Sequence, residues 1–178
     1  MKFYLAALLA LFATAAQAQQ LPPNYIGRSG AIGTEVCITP VVTAGAYVAG
    51  QVVGGVIAFP NALLSSGTGR LQSVRLNFKS VQTLEFDVTI FTGQPTGAFT
   101  DHVAPAITAS DALLAGPVIK LTKNYSGLGT HTVYGTDNIT RGVRSLAGTT
   151  VYAVVTSVGT PTLASTSDMQ LCIAWSQD

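Results

Sequence analysis

Few residues of this chain are of a type that does chemistry: two cysteines, two histidines and eight aspartates and glutamates among 178 residues. A hydrolase needs a nucleophile, a base and an orienting acid that converge, and neither His102 nor His131 lies in such a pattern. Asp101 precedes His102, but neighbours on an extended chain point to opposite faces, so the pair is expected to be a loop dipeptide rather than an acid–base couple. Gly67-Thr68-Gly69 lacks the spacing of a phosphate-binding loop and reads as a turn. Asp137-Asn138 and Asp168 offer loop oxygens, but not the spaced run that Ca²⁺ requires. Asn124-Tyr125-Ser126 and Asn138-Ile139-Thr140 fit the glycosylation triplet, a short match better taken as turn asparagines. Trp175, Tyr152 and Tyr134 could form a sugar-stacking platform, yet Tyr152 and Trp175 fall within strand patterns and are expected in the core. No catalytic, cofactor-binding or metal-binding residue is assigned, and the chain is expected not to be an enzyme.

The cysteines take their meaning from the N-terminus. Lys2 precedes an apolar run over residues 3–16, which ends in Ala16-Gln17-Ala18 before Gln19-Gln20. A positive start, an apolar helix and small residues at a cleavage point make a secretory signal, with cleavage expected between Ala18 and Gln19. The run is short of the roughly 20 apolar residues that span a bilayer, and no later stretch reaches that length, so no integral membrane segment is expected after cleavage. In an oxidising compartment Cys37 and Cys172 are expected to bond to each other. Closing so long a loop is worth about 4 to 5 kcal/mol on chain entropy. Two buried free thiols are the alternative. Neither cysteine belongs to a Cys-x-x-Cys or Cys/His cluster, which disfavours a metal.

Past residue 35 the sequence reads as short strands between Gly, Pro, Asn and Ser. Val74, Leu76 and Phe78 alternate with Arg75, Asn77 and Lys79, and Leu84, Phe86, Val88 and Ile90 alternate with Glu85, Asp87 and Thr89. Period-two alternation puts one face in the core and one in water. A tight connection over residues 80–83 would make these two an antiparallel hairpin with basic beside acidic residues, worth a few tenths of a kcal/mol. Further strands are expected over residues 36–43, 51–59, 118–123, 131–134, 149–158 and 169–176, with a bulge or bend at Gly54-Gly55. One short helix is expected, with Ser110 as N-cap, running through Leu114 and stopped by Gly116-Pro117. The expected fold is all-β: a single β-sandwich or jelly-roll-like domain of about eight antiparallel strands with at most one short helix. It occupies residues 36–178, after a signal peptide over 1–18 and an extended segment over 19–35. A bond between Cys37 and Cys172 would place the first and last strands side by side or face to face.

Composition narrows the partners. Only 10% of residues are charged, against about 25% in ordinary soluble proteins. The net charge is +1, from nine basic and eight acidic residues, and loss of the segment carrying Lys2 would leave eight of each. No field remains to gather phosphates, so nucleic-acid binding is disfavoured. A net charge near zero also removes repulsion between copies, which suits a homo-oligomer or docking on a larger assembly.

Two stretches carry a family resemblance. Phe91-Thr92-Gly93-Gln94-Pro95-Thr96-Gly97-Ala98-Phe99-Thr100-Asp101 resembles the strand, Pro-Thr-Gly turn and Phe-Thr-Asp segment of small virion structural proteins of tailed phages and prophages. Residues 151–178, with Gly159-Thr160-Pro161-Thr162, Ser167-Asp168 and a terminal Gln177-Asp178, are similar to the ending of the same family. Residues 46–54 and 71–76 follow its usual order. The resemblance implies a β-sandwich carried in many copies on a particle as a capsid decoration or accessory protein, without enzymatic activity and with other virion proteins as partners. Such particles assemble in the cytoplasm, whereas the N-terminus reads as an export signal. Two locations therefore stay open, the virion and the periplasm or extracellular space. The second goes with the alternative function, a secreted β-sandwich module that binds glycan or cell surface.

Overall fold

The computed structural model describes residues 26–28, 31–63, 67–122, 126–146 and 148–176. The expected cleavage residues Ala16, Ala18 and Gln19, and Asn124 and Tyr125 of the first glycosylation triplet, lie outside these residues. The elements in order are β1 (Ile26–Arg28), β2 (Ala31–Ile38), β3 (Gly45–Ala46), β4 (Val52–Phe59), β5 (Thr68–Phe78), β6 (Phe86–Phe91), α1 (Ala109–Leu114), β7 (Ala115–Leu121), β8 (Ser126–Leu128), β9 (His131–Arg144), β10 (Val151–Ser157), β11 (Thr162–Leu163) and β12 (Met169–Ser176). One sheet has the order β1-β2-β12-β5-β9-β8, a second β4-β10-β6-β7, and β11 pairs with β3 as a small ribbon.

Four of these twelve strands are two or three residues long, which leaves eight long ones. Among the eight, the first pairs with the last (β2 with β12), the second with the seventh (β4 with β10), the third with the sixth (β5 with β9) and the fourth with the fifth (β6 with β7), all antiparallel. This is one long hairpin rolled on itself until alternate pairs fall in opposite sheets, the winding of a jelly roll. The all-β sandwich expected from the strand spacing is thus the observed fold.

Alternation fills the space between the sheets. Val74, Leu76 and Phe78 from β5, Leu171, Ile173 and Trp175 from β12, and Phe86, Val88 and Ile90 from β6 all join one buried cluster. Phe86 lies between Phe78 and Tyr134, at ring-centre distances of 4.9 and 5.5 Å, in the tilted and edge-on arrangements that aromatic rings favour. On the outer face of the six-stranded sheet stand polar partners, such as Arg75 and Glu35, 2.6 Å apart, and Asn77 with Gln170.

The hairpin expected between residues 74–78 and 84–90 does not form. β5 pairs with β12 and β9, and β6 with β10 and β7, so the two segments lie in opposite sheets and residues 79–85 arch between them. Both arrangements satisfy the same alternation, because periodicity fixes a strand's face and not its partner. Arg75 therefore meets Glu35 of another strand rather than an acid of β6. The arch is held from inside: buried Gln82 donates to Ser80 Oγ and to the Thr162 carbonyl, and its backbone N–H donates to Thr132 Oγ1.

The bulge at Gly54-Gly55 is present. Val154 pairs with Val56 and Val155 with Val53, so the two glycines are looped out of register. Both have positive φ, and a Cβ on Gly54 would come within 2.7 Å of Pro40 Cγ, which restricts this site to glycine. The helix starts earlier than expected. Thr108, not Ser110, is the N-cap, and Asp111 at the third helical position completes a capping box. Gly116 and Pro117 lie inside β7 rather than ending the helix. β7 is an edge strand, where a missing N–H is tolerated.

Candidate functional site

Asp101 and Asp168, singled out in the sequence, act as structural fasteners, whereas Asp137 and Asn138, expected in a turn, lie within β9. Cys37 and Cys172 face each other across the β2–β12 ladder and are joined in a disulfide. Cys37 is exposed and Cys172 buried. Both sulfurs are thereby committed to each other and are not available as thiolate ligands.

Three aspartates tie loops to the sandwich. Asp101 accepts hydrogen bonds from the backbone N–H of Thr43 at 2.6 Å, Thr43 Oγ1 at 2.7 Å, the Tyr47 hydroxyl at 2.9 Å and the N–H of Gly54 at 2.6 Å. Burial acts to raise the pKa of Asp101, but the donors from Gly54, Thr43 and Tyr47 outweigh it and hold the carboxyl below its ordinary value. The same carboxylate, after burial, pushes the Tyr47 hydroxyl well above the usual phenol range. Asp101 and His102 do not point apart as an extended dipeptide would. His102 has φ +64°, and this turn brings its Nε2 within 2.9 Å of the Ala46 carbonyl and its ring to 4.7 Å from that of Tyr47. Both side chains thus reach residues 43–47.

Asp111 is fully buried. One oxygen accepts from the N–H of Thr96, and the other from the N–H of Gly97, the N–H of Thr108 and Thr108 Oγ1, at 2.7–2.9 Å. Burial alone would raise its pKa, but the donors from Thr108, Thr96 and Gly97 prevail and set it at about 2. The Pro-Thr-Gly segment is therefore a turn whose two amides are aimed at one carboxylate. Asp168, also buried, accepts from Ser80 N–H, Ser80 Oγ and Ala164 N–H. Its oxygens face N–H and O–H donors, surroundings unsuited to a cation.

A groove of about 400 Å³ at one end of the six-stranded sheet brings His131 near Asp168, together with Lys79, Asn77 and Ser167. Lys79 donates to Ser167, and His131 Nδ1 lies 3.2 Å from Thr130 Oγ1. The Asp168 carboxylate is occupied as described and does not serve to orient the imidazole. Tyr134 and Trp175 are completely buried, and Tyr152 packs half-buried against a second, smaller cluster. Tyr134 and Trp175 are thus core, whereas Tyr152, expected in the core, lies half-buried on the outer face of the four-stranded sheet, and the three rings form no common platform.

That smaller cluster lies beneath an apolar groove. Val52, Phe91, Phe99 and Val154 form it on the outer face of the four-stranded sheet, beneath residues 92–114. The covering is partial. Between loop and sheet lies a groove of about 270 Å³ walled by Phe91, Phe99, Ile107, Ala115, Val118 and Val154. Of its walls, Ile107 and Val118 are 60% and 51% exposed, and Leu113, next in sequence to the wall residue Ala112, is 87% exposed. Leu146, 69% exposed, joins on the side of Gly93 and Leu114. In the sequence this patch is hidden among equally apolar strand residues; only the run Ala112-Leu113-Leu114-Ala115, too apolar for a short exposed helix, hints at it. The start of one edge strand of the same sheet is covered. At β4, Val52 exchanges hydrogen bonds with Val103 and His102, and the N–H of Gly54 is taken by Asp101.

No protein-family model matches this chain, and no curated protein matches it in sequence. Among solved structures, a chain of the X-ray structure of tomato aspermy virus is similar over 88% of this chain and 84% of that one, with 13% identity and a TM-score of 0.40.

Proposed function

We propose that this chain is a non-enzymatic structural protein that docks on a protein assembly, in the manner of the capsid decoration and accessory virion proteins that its Phe91–Asp101 motif resembles. The observation that carries the reading is the open apolar groove on the outer face of the four-stranded sheet, in a chain with only 10% charged residues. Exposed apolar side chains gathered at a groove are a feature of protein-binding surfaces. Asp101, Asp111 and Asp168 are engaged by backbone N–H groups rather than left open to a reactant. Jelly rolls are used for capsid and lectin domains alike. Burial of Trp175 and Tyr134 removes two of the three rings a sugar platform would have used, so docking on protein is preferred to glycan binding. The location that goes with this function is the virion.

Mass spectrometry of gradient-purified particles and of culture supernatant tests the reading, with Ile107→Glu and Val118→Lys as companion variants. The expected result is the wild-type chain on particles and both variants released from them. A chain found only free in the supernatant, or variants that stay particle-bound, would refute it. The same spectra report whether the N-terminus of the exported form begins at Gln19.

A further inference from the structure

Three side chains of metal-ligand type converge on the outer face of the six-stranded sheet. Glu35 and Cys37 are two positions apart on β2, so they share a face. Cys172 stands opposite Cys37 on β12, with 4.0 Å between the Cα atoms. A Glu35 carboxylate oxygen and the two sulfurs all lie within 4.8 Å of one another. Glu35 and Cys37 are exposed, which opens the cluster to solvent, and buried Cys172 forms its floor. Neighbours steady it: Arg75 donates to the Glu35 carboxylate at 2.6 Å, and Gln170 Oε1, which accepts from Asn77 Nδ2, lies 3.7 Å from Cys172 Sγ. Contacts of this kind, one layer out, orient the ligands of a metal.

In the oxidised chain the sulfurs are bonded to each other. We propose that the reduced chain binds one divalent cation of the Zn²⁺ type through the Cys37 and Cys172 thiolates and the Glu35 carboxylate, the ion replacing the covalent tie between β2 and β12. A tetrahedral ion with Zn–S bonds of about 2.3 Å holds two thiolates about 3.8 Å apart. Side chains facing each other across an antiparallel pair, with Cβ atoms roughly 4.5–5.5 Å apart, reach that separation without movement of the strands. Thiolates select Zn²⁺ over Ca²⁺ or Mg²⁺, and three negative ligands beside the single positive charge of Arg75 favour a dication. Two molecules of a small thiol open the bond by exchange and leave as their own disulfide, giving two Cys thiols; the cation then displaces the two thiol protons to water. The ion serves in a reducing compartment and the disulfide in an oxidising one. This site is on the other sheet from the apolar groove, and its failure leaves the docking reading untouched.

The test is an anaerobic titration of the reduced protein with Co²⁺, an optical stand-in for Zn²⁺, using a phosphine reductant so that no competing thiol is present. Thiolate-to-cobalt charge-transfer bands are expected to saturate at one ion per chain and to be bleached by Zn²⁺. They should be missing from the oxidised protein and lost in Cys37→Ser. Glu35→Gln should weaken the affinity at least tenfold. In parallel, Zn²⁺ should raise the thermal midpoint of the reduced chain, followed by the emission of buried Trp175, and leave that of the oxidised chain unchanged. Absence of the bands from the reduced wild type, or a midpoint indifferent to Zn²⁺, would overturn the proposal. So would equal affinity in Glu35→Gln, which would mean that the thiols bind the ion without the carboxylate that the fold places beside them.

Discussion

Reduction of the Cys37–Cys172 disulfide is the perturbation with the largest calculable effect on this fold. The bond closes a loop of 135 residues. Chain entropy then gives about 17 cal/mol/K lost from the unfolded ensemble, or about 5 kcal/mol at 25 °C. For a domain of this size each kcal/mol moves the midpoint by about 2–4 °C, so the reduced form should melt about 10–20 °C lower. The experiment compares one sequence in two redox states and so avoids the cavity that a substitution at buried Cys172 would leave. Exposure of Cys37 gives a small thiol reductant access. Urea unfolding followed by the emission of Trp175, three residues from Cys172 on β12, reports both states. Among the described side chains of β2, Val36 and Ile38 pack partly buried against the main cluster, and the cross-link is expected to add to this packing in keeping β2 on β12. A difference below about 1 kcal/mol would refute this account: it would mean that the unfolded chain already keeps its ends together, or that β2 is not part of the cooperative unit.

Other consequences can be checked in the same way. Gly97→Ala should destabilise by about 1–3 kcal/mol, since its Cβ would press on the Ala106 carbonyl and come within 2.5 Å of Asp111 Oδ2; Gly142→Ala, where a Cβ meets nothing within 4 Å, should change urea stability by less than about 0.5 kcal/mol. Asp111 titrates at about 2 in the fold and near 3.9 when unfolded, so between these values the unfolded chain binds more protons; its contribution is complete above pH 4 and is lost as pH falls toward 2, an acid limb that Asp111→Asn should flatten in pH-dependent unfolding. Trp175→Ala should cost about 3–5 kcal/mol in thermal or urea unfolding, because the ring is wholly enclosed between the sheets; a loss under 1 kcal/mol would contradict its placement.

Much of the architecture was legible because alternation is a local property. A residue such as Val74 or Phe86 declares its face from its neighbours two positions away, and β12 appears over residues 169–176 as its apolar spacing implies. The bulge at Gly54-Gly55 was equally local, since glycine there answers a requirement for positive φ. The pairing of the 74–78 and 84–90 strands was not local, because both a hairpin and an arch between sheets satisfy the same spacing.

The aspartates show the same division. Asp101 and Asp168 look in sequence like loop acids and Asp111 like a residue of the short helix, and their donors lie up to 88 residues away. What the residues determined by themselves is therefore an all-β chain with few charged side chains. Tertiary structure decided which strands adjoin, which carboxylates are spent on backbone amides, and that the apolar residues of 91–118 leave part of one sheet face uncovered. Periodicity and charge are sums over near neighbours, whereas partners, satisfied donors and open grooves depend on where distant segments come to rest.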